Sequence, residues 1–249
     1  MESGKGKKDF IIDHFRDRIM QCVQNNQQFN FFSDNTDVTT NPMVISSFLN
    51  ALSKFGLIPT FGQELNALTG EKKQVLIMTN PEQTYKIEFP SHAVIISGVG
   101  MNVDEYNART IDVLGALGSL MPNKKANRLA VINAAIYSGT QEQYQSAYAK
   151  LFTYKDIEPF EWENRVVQRF NTPEVDVDIN HVSVIRRCTI SSALVNSGRD
   201  TDVIMFENDT NTIREASAFR YDWNRSIELF KSLSSINASE LAKAERYTK

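Results

Sequence analysis

"QVLIMTNPEQTYKIEFPSHAVIISGVGMNVDEYNA", residues 74–108, decides the fold class. Two apolar runs, QVLIMT and YKIEF, flank the short polar turn NPEQ. A third run, HAVIIS, follows Pro90 after too few residues for a crossover helix. Strands joined that tightly pair antiparallel. The chain then passes Gly98 and Gly100 into a segment where Val103, Tyr106, Thr110, Val113, Leu114, Leu117 and Met121 recur at helical spacing, until Pro122 stops it.

The same order returns downstream. RLAVINAAIYS (128–138) has the composition of a strand and TQEQYQSAYAKLF (140–152) the periodicity of a helix. RVVQRF, DINHVSVIRRCTISSALV and DVIMFEND then predict three further strands, and the segment from Arg214 to about residue 235 a long helix. NASELAKAERYTK opens on an Asn-x-x-Glu cap pattern and predicts a separate tail helix. Three strands run into a helix twice, over 75–121 and 164–234, an order that admits two βββα halves. Strands in runs, without regular alternation with helices, predict an α+β fold with a mainly antiparallel sheet faced by helices, over residues 61–249.

Residues 1–60 predict an N-terminal helical segment packed against that unit. In DFIIDHFRDRIMQCV (9–23), Phe10, Ile11, Phe15, Ile19 and Cys22 fall three and four apart. QNNQQFNFFSDNTDVTTNP follows: its polar part reads as loop, and QFNFF alternates as a short strand does. Asn41-Pro42 opens a second helix, and Gly56 closes it.

Bulk composition excludes several classes. The 249 residues are 41% hydrophobic and 23% charged, with a formal net charge of −3 spread evenly along the chain. No basic arm is present to capture nucleic acid or anionic lipid by bulk electrostatics. Two distant cysteines, Cys22 and Cys188, suit a reducing cytoplasm better than a disulfide scaffold. No apolar run approaches the roughly 18–20 residues that span a bilayer, so no membrane partner is expected.

The glycine pair resembles a phosphate cradle, but the chemistry fails. A dinucleotide fingerprint needs a third glycine, a parallel βαβ unit and an acid closing the next strand. Val103 takes the third position, and the strand lies in a meander. The residues instead spell a strand-to-helix turn with Asn102 as cap and Glu105 completing the box. No cofactor is expected. His14, His92 and His181 lie in separate elements, without a second ligand at metal-binding spacing.

Three clusters carry alternatives. Asp176 with Asp178, and Asp200, Asp202, Glu207 and Asp209, are carboxylates that a metal-dependent phosphoesterase or nuclease would use, although no Asp-x-Lys or Glu-x-Lys accompanies them on a strand. Arg165, Arg169, Arg186 and Arg187, with Lys124, Lys125 and Arg128 on a loop, would give an arginine-lined sheet face suited to phosphates. Phe29, Phe31 and Phe32, set in a polar segment, would serve a protein interface, where aromatics are enriched, or else be tucked into the chain's own core.

The element order also resembles a known layout. The pair VLIMTNPEQTYKIEF, the Arg-led strand NRLAVINAAIY, and DVIMFENDTN before a helix carrying WNRSIELFKSL are similar to a sporadically distributed, uncharacterised family of bacterial proteins of about this length. The likeness covers residues 74–234 and leaves out the N-terminal segment. It implies genes of mobile elements or phage defence and an accessory role, and it transfers no catalytic residue. The expectation is a cytoplasmic, non-catalytic accessory subunit with a protein partner, and self-association is compatible with it. The alternatives are the metal-dependent enzyme and a nucleic-acid-binding accessory protein.

Overall fold

The computed structural model describes residues 19–213 and 218–249. The strands are β1 (Gln21–Phe32), β2 (Ile58–Leu65), β3 (Lys72–Thr79), β4 (Tyr85–Glu88), β5 (Val94–Val99), β6 (Arg128–Ser138), β7 (Trp162–Thr172), β8 (Val177–Ser191) and β9 (Asp200–Thr212). The main helices are α1 (Pro42–Leu52), α2 (Val103–Leu120), α3 (Gln141–Leu151) and α4 (Trp223–Ala244). All nine strands form one sheet, in the order β2-β3-β4-β5-β1-β6-β9-β8-β7. Every neighbouring pair is antiparallel. The predicted α+β class is borne out.

Outward from the central pair β1–β6, the two sides repeat one plan. A central strand leads through a helix to the sheet edge. A meander then steps back inward, and a second helix follows. One side is β1-α1-β2-β3-β4-β5-α2 and the other β6-α3-β7-β8-β9-α4. The two strand-to-helix runs legible in the sequence are the inner parts of these sides.

The N-terminal expectation needs correction. The helix predicted over 9–23 falls largely outside the described residues, and Gln21 to Val23 already belong to β1. The amide-rich stretch expected as loop is the middle of the sheet, paired to β5 on one side and β6 on the other. Backbone pairing on both flanks outweighs the weak strand propensity of Asn and Gln. Since β1 is central, residues 21–60 cannot form a helical segment apart from the sheet. Helix α1 is as predicted: Asn41 accepts the Val44 N–H at 2.9 Å, with Pro42 in its first turn.

The core lies between one sheet face and the helices. Phe29 and Phe31 of β1 point inward, with Leu76, Met78, Ile87, Val94, Ile96, Leu129 and Val131 from neighbouring strands. Against them pack Phe48 and Leu52 of α1, Tyr106, Val113 and Leu117 of α2, and Trp223, Phe230 and Leu233 of α4. A second cluster joins Tyr144 and Ala147 of α3 to Ile185, Ile204 and Phe206. Helix α4 runs straight through the predicted boundary at Asn237. That residue is not a cap: its buried amide donates to the carbonyls of Val131 at 2.9 Å and Asn208 at 3.2 Å, hooking the helix to the sheet.

The glycine pair serves packing and turning. Gly100 adopts φ +69, where side chains are strained. Asn102 caps α2 through the Asp104 N–H at 2.8 Å, rather than through the N3 position of the predicted box. A Cβ at Gly98 would lie 2.6 Å from Cδ2 of Tyr106. That ring is buried and pinned by its hydroxyl, which donates to Ile96 O at 2.9 Å. Gly98→Ala is therefore expected to cost about 1–3 kcal/mol, checked by chemical denaturation, with the Tyr106→Leu background relieving part of the loss.

Beside Asn237, His181 is buried and its Nδ1 sits 2.7 Å from Thr210 Oγ1. The Thr210 hydroxyl donates to Asn237 Oδ1, so it accepts from His181 Nδ1–H. His181 Nε2 is buried and has no hydrogen-bond partner among the described residues, so a second ring proton would find no acceptor there. Burial holds the imidazole pKa below its ordinary value, outweighing the pull of Glu240 and Asp209. The folded state therefore binds the proton less readily than the unfolded chain. Its contribution is complete above the ordinary value of 6.5 and is lost as pH falls below it. Wild type should lose stability faster than His181→Gln between about pH 7 and pH 5. Parallel pH–denaturation curves would contradict this.

Candidate interaction surface

Helices α1 to α4 pack on one face of the sheet, as the membership of both core clusters shows. Among the described residues no helix packs on the opposite face. The single turn Ala193–Asn196, at the tip of the β8–β9 connection, borders that face where Ser192 Oγ lies 3.4 Å from Gln24 Oε1. Strand alternation assigns the side chains of the open face.

Its centre is a row of amides. Gln24, Asn26, Gln28 and Asn30 of β1 share the face, and Gln24 donates to Asn26 at 2.7 Å and Gln28 to Asn30 at 2.8 Å. Across the flanking strands, Gln28 stands opposite Ser97 and Ile132, and Asn30 opposite Ile95 and Ala130. Small and aliphatic side chains thus border the amides on both sides. Asn180, Asn211 and Asp209 extend the polar row across β8 and β9 through bonds of 3.5 and 2.9 Å.

Several charges on this face are paired. Glu64 accepts from the Ser91 N–H at 3.0 Å, Lys73 donates to Ser91 Oγ at 3.1 Å, and Lys86 bonds Glu88 at 2.9 Å. Arg186 lies 3.2 Å from Glu207 and 3.9 Å from Glu163. Arg165 and Arg169 of β7 are exposed on the same side, Arg169 donating to Asn180 Oδ1 at 2.9 Å. Where β1 and β6 end, a cavity of about 420 Å³ is walled by Phe32, Ser91, His92, Arg128 and Phe219. The Arg128 guanidinium lies 5.2 Å from the Phe32 ring centroid.

The predicted cation cluster is therefore divided. Arg165, Arg169, Arg186 and Arg128 reach the open face. Arg187 points the other way, as adjacent strand residues must, and its side chain is only 5% exposed. It donates to Asp202 at 2.6 Å, Gln141 at 2.7 Å and Pro159 O at 3.2 Å, and lies over the Tyr144 ring. Lys124, 6% exposed, ties the Asp34–Asp37 loop through Asp34 O at 2.6 Å and Asp37 Oδ1 at 2.7 Å. Both side chains are buried and bonded within the fold. Lys125 is exposed in the loop after α2.

The aromatic segment is divided too. Phe29 and Phe31 are fully buried in the core, where no partner reaches them, and Phe32 is half-buried at the open face. Phe31 stacks on Trp223 with centroids 4.3 Å apart, and Phe29 meets Phe230 edge-on at 5.1 Å. Nor do the carboxylates converge. Asp202 shares the helix face with Arg187, whereas Glu207 points to the open face beside Arg186. Among the described residues no group of three or more His, Cys, Asp and Glu is placed to hold a metal. Burial pushes the thiols of both Cys22 and Cys188 up, which keeps them protonated. Among the described residues, no helix is long and apolar enough to cross a membrane. Protein-family models and curated proteins give no match to the sequence.

Proposed function

We propose that this protein is a non-catalytic accessory subunit that receives a protein partner on the open face of its sheet. One observation carries the reading. A wide sheet, packed by helices on one face, carries on the other, among the described residues, a central amide row flanked by aliphatic side chains, with half-buried Gln24, Asn26 and Gln28 at its surface and with Lys86 and Arg186 paired to acids. Amides offer donors and acceptors together without the desolvation cost of unpaired charge, which suits a neutral protein surface. A nucleic-acid platform asks instead for unpaired cations in register with phosphates. The resemblance in element order to the sporadically distributed bacterial family supports a place in a phage-defence or mobile-element system, as one component of an assembly.

The arginines of β7 favour one second reading, nucleic-acid binding, and the same experiment separates the two. The tagged chain is used to capture partners from native extract with and without nuclease. Fluorescence anisotropy with single- and double-stranded oligonucleotides is measured in parallel at low and moderate salt. A specific protein should be retained after nuclease, with weak oligonucleotide binding. Retention that disappears with nuclease, or tight binding that falls steeply with salt and with Arg165→Ala/Arg169→Ala, would overturn the protein-platform reading.

A further inference from the structure

The two sides of the sheet differ by one strand. Outward from the centre, one side reads β1, β5, β4, β3, β2 and the other β6, β9, β8, β7. Strand β7 holds the place of β3, and nothing described takes the place of β2. The edges differ in kind as well. Strand β2 carries Pro59 and Gly62, residues that blunt an edge against further pairing. Strand β7 is 11 residues long, WENRVVQRFNT, with neither Pro nor Gly. Val166, Val167 and Phe170 are 46%, 49% and 37% exposed, so its apolar side chains are uncovered on both faces.

We propose that a second copy of this chain fills the missing place by antiparallel β7–β7 pairing about a twofold axis at Val166. The strand complements itself in that register. Glu163 stands opposite Arg169 of the other copy, Trp162 opposite Phe170 and Asn164 opposite Gln168, each pair occurring twice. Opposite charges and paired aromatics are the cross-strand combinations that stabilise antiparallel sheets. Neighbouring registers lack this. Centring on Arg165 sets that arginine against its own copy, and centring on Val167 sets Arg165 against Arg169 twice. A twofold perpendicular to the sheet keeps both helix layers on one side and joins the two open faces into one continuous platform. The dimer therefore goes beyond the proposed partner-binding role without depending on it.

Sedimentation velocity on the full-length chain tests the pairing. Wild type should sediment as a dimer in the micromolar range. Arg169→Glu, which sets Glu163 against an acid twice, should weaken the dimer by about tenfold to a hundredfold. Glu163→Arg/Arg169→Glu should restore it, since both pairs are reversed together. Val166→Cys should trap a disulfide-linked dimer under mild oxidation, because same-residue pairs on the axis approach within disulfide reach. Val167→Cys, displaced two residues from its copy, should not. A monomeric wild type, an Arg169→Glu dimer of unchanged strength, or trapping at Val167 rather than Val166 would overturn the proposal. Melting curves of all variants establish that each is folded.

Discussion

Phe29→Ala and Phe31→Ala should each cost about 3–5 kcal/mol of folding stability, while Phe32→Ala costs about 1 kcal/mol or less. All three residues are phenylalanines within four positions, so the difference lies entirely in where alternation sends them. Phe29 and Phe31 are fully buried among β5, β6 and α4, and removing either ring opens a cavity beneath Phe230 or Trp223 that surrounding side chains cannot fill. Phe32 is half-buried at the open face, and its truncation loosens one wall of the cavity beside Arg128. Urea denaturation of the three variants measures this directly. Equal losses would mean that β1 does not occupy the register described.

The second large effect concerns the ion pair of Arg187 and Asp202, and it is asymmetric. The arginine side chain is 5% exposed and the aspartate 42%. Asp202→Ala strands a buried guanidinium with only Gln141, Pro159 O and the Tyr144 ring beside it, and is expected to cost about 3 kcal/mol or more. Arg187→Met leaves a carboxylate that water already reaches, and the methionine keeps much of the packing, so about 1–2 kcal/mol is expected. Calorimetric titration with Mg²⁺ or Mn²⁺ belongs to the same experiment. The metal-dependent alternative requires a tight site in wild type that Asp202→Ala removes. An Asp202→Ala variant as stable as wild type would contradict the structural role given to this pair.

Much of the fold was legible because the relevant signals are local. The meander over 74–99 and α2 follow from apolar alternation giving way to helical spacing, and β6 and α3 follow within a residue or so. What was not legible depends on distant partners. The alternation of QFNFF shows the end of β1, but its amide-rich first part reads as loop, and only pairing with β5 and β6 makes that part a strand. Strand β2 was hidden by Pro59 and Gly62, which read as loop punctuation and are tolerated because this strand is an edge. Asn237 imitates a cap in sequence, and nothing local announces that its amide reaches Val131 and Asn208.

The errors at the site are of another kind, since alternation alone separates some of the residues grouped there. Arg186 and Arg187 are adjacent on β8 and must face opposite ways, as must Asp202 and Glu207, five apart on β9. Phe32 likewise parts from Phe31 by one residue. Lys124 differs: its bonds to the Asp34–Asp37 loop span some ninety residues, and no sequence pattern marks it. The amide row of β1 is visible as composition, but nothing local shows that, among the described residues, the helices pack on the other face.

The open face is the centre of the functional reading, and one comparison tests it most directly. Gln28→Glu/Ser97→Arg replaces an amide and a hydroxyl, directly opposed in the middle of that face, with ions whose charges offset each other across the strands. Lys231→Glu/Ser235→Glu alters exposed positions of α4 on the helix side instead. Both variants and wild type are used to capture nuclease-treated extract, and the retained protein is quantified by mass spectrometry. The partner held by wild type should be retained by the α4 variant and lost from the Gln28→Glu/Ser97→Arg variant, with melting temperatures within a few degrees of wild type. Full retention by the open-face variant, together with loss from the α4 variant, would place the partner on the helices and contradict the reading.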